Sequence, residues 1–131
     1  MIALVLLCCL GGIGSIGGVV YLGYRVEKED TVTALEGYLD NLKAERYAAA
    51  YDDLCEDAQE GIDLRQFATR SAAGGRVISY RVDEDSMSGW GGDAGFTIDV
   101  EVRRENRPAR TETFFVHAEP DNLDHHLICP R

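Results

Sequence analysis

The pattern of apolar and polar positions divides the chain into three kinds of segment. From Met1 to Tyr24 the run MIALVLLCCLGGIGSIGGVVYLGY holds only apolar, small and uncharged residues. From about residue 30 the apolar positions recur every three or four residues. Val32, Leu35, Leu39 and Leu42 form one helical stripe with Tyr38 beside it. Asp30 or Thr33 is placed to cap this helix, the latter with Glu36 three residues on as a capping box. A second helix is predicted over ERYAAAYDDLCEDA, where Tyr47, Tyr51, Leu54 and Ala58 share a face and Cys55 lies next to it. A third opens at GIDLRQFATR, with Asp63 as cap, Gln66 at the third helical position and Ile62 set to staple against Phe67. The pair Gly74 and Gly75 ends it.

Beyond Gly75 the period changes to two. Ile78, Tyr80 and Val82 alternate with Ser79 and Arg81, and Phe96, Ile98, Val100 and Val102 alternate with Thr97, Asp99, Glu101 and Arg103. ENRP turns the chain, TETFFVHA returns with Phe114, Val116 and Ala118 on one face, PDN turns again, and HHLIC reads as the last strand. The apolar positions of the central hairpin are all even-numbered. Opposed residues share a face, so the pairs should sum to 212, with Ile98 opposite Phe114. Three helices followed by about four antiparallel strands predict an α+β fold, with the helices packed on one face of the sheet.

Charge sharpens the division. All thirteen basic and twenty-three acidic residues fall within 25–131, which carries the whole net charge of -10. Such a surface repels phosphate backbones and anionic lipid heads, so no nucleic-acid partner is expected. The first segment is as long as the ~20 residues a helix needs to cross a bilayer. Residues 1–23 are therefore expected to be an uncleaved transmembrane anchor, 24–30 a short charged tether, and 31–131 one folded domain. A cleaved signal peptide is the rival reading, but no basic residue precedes the apolar run and Ser15-Ile16-Gly17 is a poor cleavage site. Gly14 and Gly18 have the G-x-x-x-G spacing that lets two membrane helices approach, so a homodimer through the span stands beside a plain anchor. Arg25 and Lys28 after the span, taken alone, would hold the domain inside.

The stretch ALEGYLDNLKAERYAAAYDDLCEDA, followed by LRQFA, an antiparallel sheet and a terminal ICP, resembles the nuclear transport factor 2-like superfamily over roughly residues 31–131. More narrowly it is similar to small membrane-anchored, extracytoplasmic members from high-GC Gram-positive bacteria. Relatives often have a Gly-Trp pair before the last cysteine, where this chain has DNLDHHLIC. The resemblance implies a cone, a curved sheet wrapped around the helices and enclosing a pocket. Tyr38, Tyr51, Phe67, Tyr80, Phe96, Ile98, Phe114 and His125 are the residues expected to line it. No single activity is implied, because members include isomerases, dehydratases and proteins without known chemistry.

Two cysteines remain in the folded part, Cys55 and Cys129. An even pair in a small domain outside the cytoplasm reads as a disulfide, and two buried free thiols in a cytoplasmic domain is the alternative. The disulfide reading places the domain outside. If Cys129 faces the helices to reach Cys55, period two turns Leu127 and His125 inward and leaves His126 and Ile128 outside. His125 with Tyr80 is then the base–donor pair an isomerase- or dehydratase-type enzyme would use in the cone. A single His on an apolar face is more often structural, so the favoured function is a non-catalytic domain binding a partner protein or a small apolar ligand.

No cofactor or metal is expected. His125, His126 and Cys129 cannot share a zinc ion, because adjacent strand residues point to opposite faces. The acidic positions 52, 53, 56, 57 and 60 fan around a solvated helix face. Asp83 and Asp85 imitate the start of a calcium loop, but Met87 and Ser88 stand where a ligand and the turn glycine are required. The sole Trp, Trp90, lies in the glycine-rich loop 83–95, and is read either as core or as displayed to a partner.

Overall fold

The computed structural model describes residues 27–89, 95–119 and 121–131. The proposed membrane span with Gly14 and Gly18, and Trp90, lie outside these residues. Among those described, no helix is long and apolar enough to cross a membrane. Among the described residues four helices precede four strands: α1 over 27–43, α2 Tyr47–Asp52, α3 Glu56–Gly61, α4 Leu64–Ala73, β1 Val77–Gly89, β2 Phe96–Arg104, β3 Arg110–Glu119 and β4 Asn122–Pro130. The strands form one antiparallel, uncurled sheet in the order β1-β2-β3-β4. The α+β expectation stands, but the sheet is uncurled where a curved, cone-like one was expected.

Helix α1 is already helical at residue 27, ahead of both expected caps. Thr31 and Thr33 instead donate their hydroxyls back to the carbonyls of Glu27 and Glu29, at 2.7 and 2.9 Å. From Leu35 on its stripe is the one read from the sequence, with Leu35, Tyr38, Leu39 and Leu42 all at most 5% exposed; one turn earlier Thr31 is buried and Val32 is only half-buried. They pack on the even-numbered face of the sheet, against Phe96, Ile98, Val100, Phe114, Val116 and Ile128. Tyr38 meets Phe114 edge-on, with ring centroids 6.1 Å apart. Each such side chain removed from water contributes about 1.5–3 kcal/mol before entropy is counted. The central register is as expected, with Phe96 opposite Val116 and Ile98 opposite Phe114. At the hairpin turn Asn106 takes a positive φ of 59°, a conformation Asn tolerates better than most residues.

Helix α4 also follows its signals. The Asp63 carboxylate accepts from the Gln66 amide at 2.8 Å, Phe67 is buried, and Gly74 stands at the C-terminus. The expected second helix does not survive as one piece. It breaks into α2 and α3, because Asp53–Cys55 leaves the helix to pair with the last strand. The Cys55 amide donates to the Ile128 carbonyl at 2.9 Å, and the Ile128 amide donates to the Asp53 carbonyl at 2.8 Å. Leu54 thereby forms a parallel bridge to Ile128. Gln59 then closes the gap by donating its side-chain amide to the Tyr51 carbonyl at 2.8 Å. The apolar face of the stretch is kept, since Tyr47, Tyr51, Leu54 and Ala58 all join the core.

Strand β1 departs from strict alternation. A bulge between Val77 and Ser79 inserts Ile78 as an extra residue, so Val77 is 2% exposed and Ile78 43%. The inward placement expected for Ile78 is thus corrected. The strand also runs on through Asp83–Gly89, which had read as loop. A second irregularity spans 83–88, where Ser86 donates to the Asp83 carbonyl at 2.6 Å and accepts from the Asp99 amide at 2.9 Å.

Candidate functional site

The disulfide links Cys55 to Cys129, closing 74 residues of chain with Cα atoms 5.5 Å apart. It lies on the face of the sheet opposite to the helices. Ile128 is fully buried and His126 is 8% exposed, whereas His125, Leu127 and Cys129 are on the outer face. The facing expected for β4 is therefore reversed. Its premise was that Cys55 sits on a helix above the sheet. In fact Cys55 belongs to a strand-like segment alongside β4, so the two sulfurs meet across neighbouring strands and no inward turn of Cys129 is needed.

This reversal builds a groove. Phe115, His117, Leu127 and Cys129 form its floor from β3 and β4, and the link from α2 to α3 forms one wall. It is open to solvent, with a volume of about 940 Å³. Asp52, Glu56, Asp57, Glu119 and Asp121 give it an acidic rim. At one end the Arg131 guanidinium lies 5.3 Å from the centre of the Phe115 ring, a cation–π contact. Phe115 and His117 stack at a tilt with centroids 5.5 Å apart. The Nδ1 atom of His117 is buried with no hydrogen-bond partner among the described residues. His125 holds Glu119 through Nδ1 at 2.9 Å. Beneath the wall, Asp53 accepts from the Asn41 side chain at 3.1 Å, and desolvation raises its carboxyl above the usual range.

The proposed base–donor pair is not brought together. Tyr80 lies on β1 and His125 on β4, which are opposite edges of the sheet and roughly 14 Å apart by strand spacing alone. They also occupy different faces. Tyr80 donates to the Asp40 carboxylate on α1 at 2.8 Å, and desolvation followed by that contact pushes its phenol up to about 12. The other expected lining residues are packing. Tyr38, Phe67, Phe96, Ile98 and Phe114 are at most 8% exposed and fill the space between helices and sheet. Tyr51 stacks on Phe67 at 5.7 Å and donates to the Ile62 carbonyl at 2.9 Å. Burial pushes the Tyr38 phenol well above the usual tyrosine range.

Phe115, His117 and Leu127 were missed as site residues. On β3 the signal was an aromatic side chain at odd-numbered position 115, on the face assigned to solvent, whereas Leu127 on β4 had been turned inward together with Cys129. Among the described residues, no cluster of three or more His, Cys, Asp or Glu could hold a metal ion. Comparison with models of protein families, with curated proteins and with solved structures finds no match to this chain.

Proposed function

We propose that the chain is a membrane-tethered, extracytoplasmic binding domain of the nuclear transport factor 2-like kind, and that it binds a partner protein without catalysing a reaction. The observation that carries this reading is the outer-face groove, an aromatic and aliphatic floor with an acidic rim, set beside a helix–sheet interface already filled by side chains. Aromatic anchors at the centre of a polar rim are what a protein interface uses. The disulfide supports the exterior location, since such bonds persist outside the reducing cytoplasm. The helices laid on one face of an antiparallel sheet support the family assignment. Of the two expected ligand classes, a small apolar molecule is the less favoured, because the inner face offers it packed side chains in place of room.

The test uses the full chain in its membrane, with a photo-crosslinking residue at position 115 or, as control, at the exposed position 78. A covalent protein adduct from 115 and none from 78 is expected. No adduct from 115, or an apolar small molecule retained by the purified chain in native mass spectrometry, would overturn the reading.

A further inference from the structure

The net charge of -10 conceals a strongly uneven distribution. Seven of the eleven arginines, Arg65, Arg70, Arg76, Arg103, Arg104, Arg107 and Arg110, belong to α4, to the residue before β1 and to the turn end of the β2–β3 hairpin, where the acids are Glu101, which pairs with Arg81, Glu105 and Glu112. The fold brings these stretches together. The Glu105 amide donates to the Arg76 carbonyl at 2.8 Å, the Arg107 guanidinium reaches the Ala73 carbonyl at 3.5 Å, and Arg104 reaches the Gly75 carbonyl at 3.5 Å. Gly75 makes this approach feasible. Its φ is +91°, and a Cβ there would stand 3.0 Å from the Glu105 carbonyl.

Part of this arginine content is structural. Arg104 grips both oxygens of Glu112, at 3.1 and 3.2 Å, and Arg107 helps to satisfy the end of α4. The remaining five are different. The side chains of Arg65, Arg70, Arg76, Arg103 and Arg110 are exposed, and none takes part in an ion pair among the described residues. Residues 105–111 are all exposed, so the hairpin end projects as a knob. It carries no aromatic or large aliphatic side chain in that span. Protein interfaces draw their affinity from such anchors. The knob itself offers charge and bidentate guanidinium hydrogen bonds, with Leu64 and Ile78 exposed only at the margin of the patch, and phosphate is a ligand that such groups recognise. The free arginines also lie on a helix, on the outer face at Arg103 and on the opposite face at Arg110, a distribution suited to a flexible chain that wraps the knob.

We propose that this arginine end is a binding surface for a linear phosphate-bearing polymer. The acidic remainder of the domain does not forbid it. Arg110 and Glu119 stand at opposite ends of β3, roughly 30 Å apart, several times the ~8 Å over which charge acts at physiological salt. The surface is independent of the groove. It lies at the end of the sheet away from the N-terminal part of α1, where Lys28 and Glu29 are beside Glu84 of the far half of β1. A tethered domain would therefore present it away from its own bilayer, which favours a polymer over lipid headgroups.

The test is titration of the full chain, in neutral detergent, with long-chain inorganic polyphosphate. Binding should weaken with salt at a log–log slope of about -3 to -4, for five contacts. Arg103→Ala/Arg110→Ala should keep its melting temperature, lose roughly tenfold or more in affinity and flatten the slope by about 1.4. Arg46→Ala, an exposed arginine outside the cluster, should bind as the parent does. Arg70→Ala/Arg76→Ala provides a second pair should the first fail to fold. Absence of binding, or an unchanged slope in a folded double variant, would overturn the proposal. Equal affinity for polyglutamate would reassign the surface to acidic proteins, and preference for vesicles with anionic lipid would reassign it to a membrane.

Discussion

The two edges of the sheet solve the same problem by different means. An edge strand exposes unpaired backbone groups that invite another chain. β1 disrupts its own regularity, with a bulge at Ile78 and a second irregularity across 83–88, and braces itself against α1 through Tyr80 and Asp40. β4 stays regular over 126–130, and its edge is covered by the Asp53–Cys55 segment, through two backbone hydrogen bonds and a disulfide. The first device is noncovalent and spread over the strand. The second is concentrated at one residue pair, so damage to it should cost more.

The largest effect is therefore expected at β4. Cys129→Ser should lower unfolding free energy by about 4 kcal/mol, as expected for opening a loop of this length, measured by denaturant unfolding at neutral pH. A loss as small as those at β1 would break the contrast between the edges. At β1, Val77→Ala should cost about 2 kcal/mol by removing buried methyl groups, whereas Ile78→Ala on the solvent side of the bulge should stay within ~0.5 kcal/mol. Equal losses at 77 and 78 would show that the bulge does not set the facing. Tyr80→Phe deletes the brace to Asp40 and should cost about 1 kcal/mol or less.

The smallest effect concerns Asp53 in the segment that covers β4. Its folded pKa is raised above the ordinary aspartate value, chiefly by desolvation. The stabilising contribution of a raised carboxyl is complete below its unfolded pKa and is lost as pH rises through the folded value. Asp53→Asn keeps an acceptor for Asn41 and cannot ionise. Relative to the variant, the parent protein should thus become less stable as pH climbs from about 3.8, read as the difference between two melting curves. A difference that moves the other way would mean that the contact with Asn41 outweighs desolvation.

Legibility followed the same division. The β2–β3 pairing could be read to the residue because its alternation is uninterrupted and one face is wholly apolar, so a shift by one would expose Phe96, Ile98, Phe114 and Val116 together. Asp63 and Gln66 announced α4 through a cap that needs no tertiary partner. Ile78 was misplaced because a bulge is a property of the pair of strands, and nothing in RVISYRV marks it. Cys55 was drawn onto a helix because YDDLCEDA keeps helical spacing. The backbone bonds that pull it out come from Ile128, more than seventy residues away. That single error then inverted His125, Leu127 and Cys129, and with them the site: the base–donor pair dissolved and the groove around Phe115 went unseen. The arginine end was hidden by summation, since a net charge says nothing about which residues the fold collects.

The staple between Cys55 and Cys129 also decides how the molecule would carry a mechanical load. Tension applied between α1 and the last residue passes through the sulfur–sulfur bond and bypasses the 74-residue loop that it closes. Stretching would peel α1 and α2 from the sheet and pay out roughly 30 residues, at most about 100 Å, and then stop. The sheet, with its groove and its arginine end, sits inside the protected loop. A domain held by its N-terminal segment and pulled near its C-terminus would lengthen by a fixed step while both proposed binding surfaces remained part of an unbroken covalent ring.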